Sequence, residues 1–231
     1  GYARFLGSKL DETVRCEFPS TTATSLTGLA TGMRSNQHGV IGYSAYDRFS
    51  ASPMNLLTGW DSPAEALKFK KVDTISESAQ GVAVRVIGPG AYEGSGFTAL
   101  TMSGAEYLAA EKIEDRFSAL SRIGGGKNLT YLYVPELDQL AHRFGVESVQ
   151  WLNALEELDQ QISNFAKRTP ANMGVLVTAD HGIIDVPTES HVYLDAFEWF
   201  DQDVTHTAGD PRCNFLYLRE NTDASETKRK L

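Results

Sequence analysis

Two short segments pair a carboxylate with an imidazole at spacings suited to metal ligation: Thr-Ala-Asp-His-Gly at residues 178–182 and Leu-Asp-Gln-Leu-Ala-His at 137–142. In the second, Asp138 and His142 stand four residues apart. On a helix that sets their Cβ atoms about 5–6 Å from each other on one face, so one cation could bind both. In the first, Asp180 and His181 follow the apolar run Gly174-Val-Leu-Val-Thr, the pattern of a buried strand. They are expected where that strand ends and the chain turns at Gly182, the edge at which open α/β sheets bind ligands. Asp and His suit zinc, and two divalent ions can clamp the attacking and leaving oxygens of a phosphoryl transfer. Each pair also has a plainer reading, a turn for one and a surface hydrogen bond for the other; together they favour metal.

A third segment, residues 18–40, sets Ser20, Thr21, Thr22, Thr24 and Ser25 just after Pro19, then runs through Leu26, Leu29 and Ala30 to Gly32. This predicts a helix with a hydroxyl-rich N-terminus. Any one of these hydroxyls can be an N-cap, accepting an orphan backbone N–H bond. A nucleophilic hydroxyl at the same place would be well served, because a helix N-terminus favours the anion a phosphoryl group brings.

The stretch FPSTTATSLTGLATG followed by QHGVIGY resembles the nucleophile region of the nucleotide pyrophosphatase/phosphodiesterase family, within the alkaline phosphatase superfamily. PELDQLAHRFG at 135–145 is similar to the family's Asp-x-x-x-His-x-x-Gly metal segment, and VTADHG at 177–182 to its Thr-x-Asp-His-Gly segment. The three occur in the family's order. The resemblance implies an alkaline phosphatase-like three-layer α/β sandwich with a mostly parallel central sheet. It makes Thr22 the nucleophile that takes the phosphoryl group covalently. Asp180 and His181 would bind the metal that lowers the pKa of Thr22. Asp138 and His142 would bind a second, which positions the hydrolytic water. Two divalent ions, expected to be zinc, are the implied cofactors, and His38 is assigned a structural role.

The family places an Asn shortly after its His-Gly pair, where this chain has Tyr43, which leaves the substrate profile open. It also uses six protein ligands, and only four match. Asp11 lies too close to Thr22 and in a polar context; His206 is followed by Thr-Ala-Gly, a poor match to the family's late His-Gly. The expectation is a single catalytic domain over residues 1–231 that lacks both its ends.

The chain has 231 residues, 42% of them hydrophobic, and a formal charge of −9, enough to bury a sizeable core and contrary to the basic face of a general nucleic-acid binder. A small phosphorylated substrate, a nucleotide or phosphodiester, remains compatible, because metals neutralise it locally. Cys16 and Cys213 imply no disulfide framework and are read as buried thiols. No apolar stretch approaches the roughly 20 residues of a membrane span, and no signal peptide is visible, so a cytoplasmic location is expected.

Strands are expected at 82–87, 129–134, 174–178 and 214–218, and helices at 104–123, with Leu108, Ile113, Phe117 and Leu120 on one face, and at 148–168, with Leu155, Leu158, Ile162 and Phe165. This alternation indicates an α/β sandwich. Residues 44–72 show little periodicity and are read either as an irregular excursion over the sheet edge that walls the substrate pocket or as a plain connecting segment. Gly124-Gly125-Gly126 lacks the Lys-Ser/Thr of a phosphate loop and is read as a turn.

The expected activity is metal-dependent hydrolysis of phosphodiester or pyrophosphate bonds through a phospho-threonine. A phosphomonoesterase, a phosphonate hydrolase or a non-catalytic binding protein on this fold are the alternatives. A sulfatase is disfavoured because Cys16-Glu17-Phe18 breaks its Cys/Ser-x-Pro-x-Arg pattern.

Overall fold

The computed structural model describes residues 1–10 and 12–231; Asp11, weighed above as a ligand, lies outside them. Helix α1 (Arg4–Lys9) is anchored by the Asp159 carboxylate, which accepts the N–H groups of Phe5 and Leu6 at 3.2 and 2.7 Å. Helix α2 (Thr22–Thr31) follows, and Gly32 ends it in the left-handed region at φ 67°, donating its N–H to Gly28 O. Such a position favours glycine, which carries no Cβ to clash. Helix α3 (Ser35–His38) then leads into the first strands.

Residues 44–72 are more regular than their sequence suggests. Strands β1 (Ser44–Asp47) and β2 (Ser52–Asn55) make an antiparallel hairpin, and α4 (Pro63–Phe69) and α5 (Ile75–Ser78) follow. No apolar alternation announces the hairpin because its turn is polar: Asp47 accepts the N–H groups of Phe49 and Ser50. Pro53 is tolerated because β2 is an edge strand. Ser62 caps α4, with Pro63 at its first position.

A βαβαβ run comes next: β3 (Ala83–Gly88), α6 (Gly96–Thr101), β4 (Glu106–Ala109), α7 (Ile113–Arg122) and β5 (Asn128–Leu132). Its strands form a parallel sheet in the order β4-β3-β5. The helix expected over 104–123 therefore begins only at Ile113. Leu108 instead sits in β4 opposite Ile87, and Gly104, at φ 85°, breaks any helix upstream. The three glycines at 124–126 form the expected turn into β5.

Helix α8 (Glu136–Phe144) packs on α9 (Val149–Ala166), and α9 packs on α1 and α7. Helix α9 buries Ala154, Leu158 and Ile162, one residue per turn, and the last two cluster with Ile113 and Phe117 of α7, with Phe5, Leu132 and Leu137 around them. A second apolar cluster joins Ala23, Val40, Leu56, Ala66 and Leu100, so α2, α4, α6 and the hairpin share one core. Fully burying a side chain such as Leu56 contributes roughly 1.5–3 kcal/mol.

The strand expected at 174–178 does not form. A strand persists when a neighbour takes its N–H and C=O groups, and among the described residues this run pairs with no strand. Leu176 is 86% exposed. The chain closes with α10 (Glu198–Asp203), β6 (Val204–Asp210), β7 (Cys213–Leu218) and α11 (Ala224–Lys230). The last two strands complete an antiparallel sheet in the order β2-β1-β6-β7, so the expected strand at 214–218 pairs antiparallel. Cys16 is exposed, contrary to the expected buried thiol, because it lies in the extended segment between α1 and α2. No helix among the described residues is long and apolar enough to cross a membrane.

Candidate active site

The hydroxyls at the start of α2 divide their work. Thr21 is the N-cap, its Oγ1 accepting from the N–H of Thr24 at 3.3 Å and donating to Thr24 Oγ1 at 3.1 Å. Thr24 Oγ1 in turn accepts from the N–H of Gly42 at 2.9 Å. Thr21 and Thr24 are both buried and committed to the backbone around them. Thr22, the first residue of the helix, is not the cap, and its Oγ1 lies 3.1 Å from Nε2 of His181.

The ring of His181 is oriented from its other nitrogen. Nδ1 lies 2.8 Å from Gly182 O, and a carbonyl can only accept, so Nδ1 carries a proton and Nε2 is the nitrogen turned toward Thr22 and the Asp180 carboxylate. The main chain is held in step, because the N–H of His181 donates to Asp180 Oδ1 at 3.1 Å.

Helix α8 brings the other pair. Asp138, in its first turn, and His142, in its last, share one face as their spacing requires, with His142 Nε2 3.4 Å from Asp138 Oδ1. Asp180 Oδ2 lies 3.6 Å from His181 Nε2, and Asp138 Oδ1 lies 4.0 Å from the same nitrogen. The C-terminal end of α8 is tied to this loop by the N–H of Val146, which donates to Asp185 Oδ1 at 3.1 Å. Thr22, Asp138, His142, Asp180 and His181 thus occupy one region.

Donor type and spacing can be compared with a metal shell. Two ligand atoms on one tetrahedral zinc, with bonds of about 2.0–2.2 Å, lie roughly 3.4 Å apart. The Asp138/His142 and Asp180/His181 pairs have that separation. Each fits as two corners of a shell. Among the described residues no three His, Cys, Asp or Glu side chains are gathered closely enough to hold an ion by themselves, so the remaining positions would fall to water, substrate or other groups.

The strand end beside these carboxylates is aromatic. Burial, reinforced by the charge of Asp180, pushes the Tyr131 hydroxyl well above its ordinary value, and Tyr133 shifts the same way. Both hydroxyls therefore stay neutral. His38, assigned a structural role from the sequence, is buried: its Nδ1 accepts from the N–H of Val40 at 3.1 Å, its Nε2 has no partner among the described residues, and burial lowers its pKa. Tyr43 is 45% exposed, and its N–H donates to Gly209 O at 2.8 Å.

Two charged pairs near these residues escape sequence reasoning. Arg116, fully buried, donates to Tyr133 O at 2.7 Å and Glu111 O at 3.1 Å and is paired with Glu136, the first residue of α8. Asp210 accepts from Arg212 Nε at 2.9 Å and lies within electrostatic reach of His181. The only sequence signal for either was a lone basic residue in an unremarkable context.

The fold thus brings a hydroxyl at a helix N-terminus against the histidine of one Asp/His pair, with Asp138 of the other pair 4.0 Å from the same ring. The chain belongs to the type I phosphodiesterase / nucleotide pyrophosphatase family, whose sequence profile matches residues 6–230. No curated protein matches it in sequence. Among solved structures it is similar to murine ectonucleotide pyrophosphatase / phosphodiesterase 5, at 20% identity and a TM-score of 0.49, over 67% of this chain and 42% of that one. It is also similar to phosphonoacetate hydrolase from Sinorhizobium meliloti 1021, at 15% identity and a TM-score of 0.44, over 72% of this chain and 48% of that one. The chain thus spans less than half the length of these structures.

Proposed function

We propose that this protein is a metal-dependent hydrolase of phosphodiester or pyrophosphate bonds that works through a covalent intermediate on Thr22. The observation that carries the reading is the 3.1 Å contact of Thr22 Oγ1 with His181 Nε2, made across 159 positions of sequence while neighbouring hydroxyls are spent on capping. Family membership supports the reaction class.

Asp180 and His181 would hold one divalent ion and Asp138 and His142 another, zinc suiting both donor sets. When bound, such ions supply the positive charge that activates a hydroxyl or a water and offsets the charge on a transferring phosphoryl group. The protein's own part is positional. Thr22 stands at the N-terminus of α2, whose unpaired N–H groups favour an anion. Its hydroxyl is a weak nucleophile until activated. Its oxygen would form a bond to phosphorus as the bond to the leaving group breaks, and water would later cleave the Thr22 ester.

The test is hydrolysis of bis(4-nitrophenyl) phosphate against 4-nitrophenyl phosphate by the zinc-supplemented protein. Faster turnover of the diester, abolished by a chelator, is the expected result. Preference for the monoester would overturn the diesterase assignment in favour of a phosphatase, with Tyr43 in the place of Asn as its first explanation. Absence of metal-dependent turnover of either would favour a binding protein.

A further inference from the structure

The turn between β6 and β7 reaches both segments that flank the nucleophile helix. Gly209 O accepts the N–H of Tyr43 at 2.8 Å, and a Cβ on Gly42 would meet the Gly209 backbone at 3.0 Å, so the two segments touch there. One residue further on, Asp210 is 8% exposed and holds Arg212 by both carboxylate oxygens, to Nε at 2.9 Å and to Nη2 at 3.2 Å. Asp210 also accepts the N–H of Arg212 at 2.9 Å, which closes the turn. The same Nη2 donates to Ser20 O at 3.1 Å, the one hydrogen bond that this carbonyl accepts among the described residues. Ser20 immediately precedes the cap Thr21 and lies two residues before Thr22.

We propose that Arg212, locked by Asp210, is a positioning residue for the nucleophile: it fixes the Ser20 peptide and with it the direction in which Thr22 leaves the start of α2. The proposal rests on Thr22 being the nucleophile. A planar guanidinium suits the task because its donors reach a carboxylate and a carbonyl at once in a fixed fork. A lysine ammonium offers three donors from one point and cannot reproduce that geometry. The sensitivity to be expected is that of any well-oriented attack, in which a displacement of about 1 Å costs roughly 100-fold in rate.

The experiment measures kcat and KM for the diester, zinc content and amide exchange in Arg212→Ala, Arg212→Lys, Asp210→Asn and the Arg212→Ala/Asp210→Asn double variant. Arg212→Ala should lower kcat roughly 10- to 100-fold with KM and zinc content near the parent. Amide exchange should quicken over residues 20–23 alone. Added guanidinium ion should restore part of kcat, Arg212→Lys should restore little, and the double variant should be no worse than Arg212→Ala, since both substitutions break one clamp. A raised KM with unchanged kcat would show direct substrate binding and overturn the proposal. Parent-like kinetics, or a loss of zinc and exchange protection throughout the chain, would overturn it as well. Thr22→Ala, run in parallel, separates the two readings: if it remains active the nucleophile assignment has failed, and if it is inactive beside a parent-like Arg212→Ala only the clamp has.

Discussion

Thr22 Oγ1 and His181 Nε2 lie 3.1 Å apart, and the ring nitrogen is held there by the bond of Nδ1 to Gly182 O at 2.8 Å. That relationship links the hydroxyl-rich helix to the Asp-His-Gly turn. It also separates Thr22 from its neighbours, since Thr21 caps α2 and Thr24 accepts from Gly42.

The two Asp/His pairs should titrate as separate sites. Calorimetric titration of the metal-free protein with zinc is expected to show two equivalents bound. Asp138→Asn/His142→Ala should remove one of them and Asp180→Asn/His181→Ala the other. A parent-like stoichiometry in either variant would remove that pair from the ligand set.

Arg116 should be a large contributor to stability. Its guanidinium is fully buried and shared among Tyr133 O, Glu111 O, Lys112 O and Glu136. Taking away one partner of a buried pair costs about 3–5 kcal/mol, because the other is left uncompensated. Arg116→Met should therefore lower the urea midpoint steeply, and Arg116→Met/Glu136→Gln should recover part of the loss. A change of less than about 1 kcal/mol in Arg116→Met would contradict this.

Glu77 predicts a pH dependence. Burial acts to raise its pKa, but the bonds from Lys70, the Thr74 N–H and Ser103 outweigh it and hold the carboxyl at about 2. Its folded pKa is thus below the ordinary value of about 4.3, so the unfolded chain binds the proton first and stability rises with pH across this window. The contribution is present above about pH 4.3 and lost as pH falls toward 2. Thermal melts of Glu77→Gln should fall less steeply than those of the parent from pH 5 to pH 2. Parallel curves would show that the carboxyl titrates normally.

Much of the candidate site was legible because it is local. The spacing of Asp138 and His142 requires a shared face on any helix, and Gly32 closes α2 where its φ of 67° suits glycine. Sequence patterns failed where partners decide the outcome. Leu108 is apolar enough for a helix face, yet its pairing with Ile87 makes it a strand. The run at 174–178 has strand composition without a ladder to join. Ser20 and Arg212 are 192 positions apart, and no local rule foretells their bond.

The most direct test of the account is the turnover of Thr22→Ala and Thr22→Ser, with melting temperature and zinc content measured on the same samples. Thr21, not Thr22, caps the helix, so Thr22→Ala should keep stability and zinc near the parent while kcat falls by several orders of magnitude, because the attacking atom is gone. Thr22→Ser should retain partial activity, since a hydroxyl remains opposite His181. Thr21→Ala should instead cost about 1 kcal/mol of stability, the usual worth of a cap. An active Thr22→Ala, or turnover abolished by Thr24→Ala while Thr22→Ala remains active, would show that Thr22 is not the nucleophile.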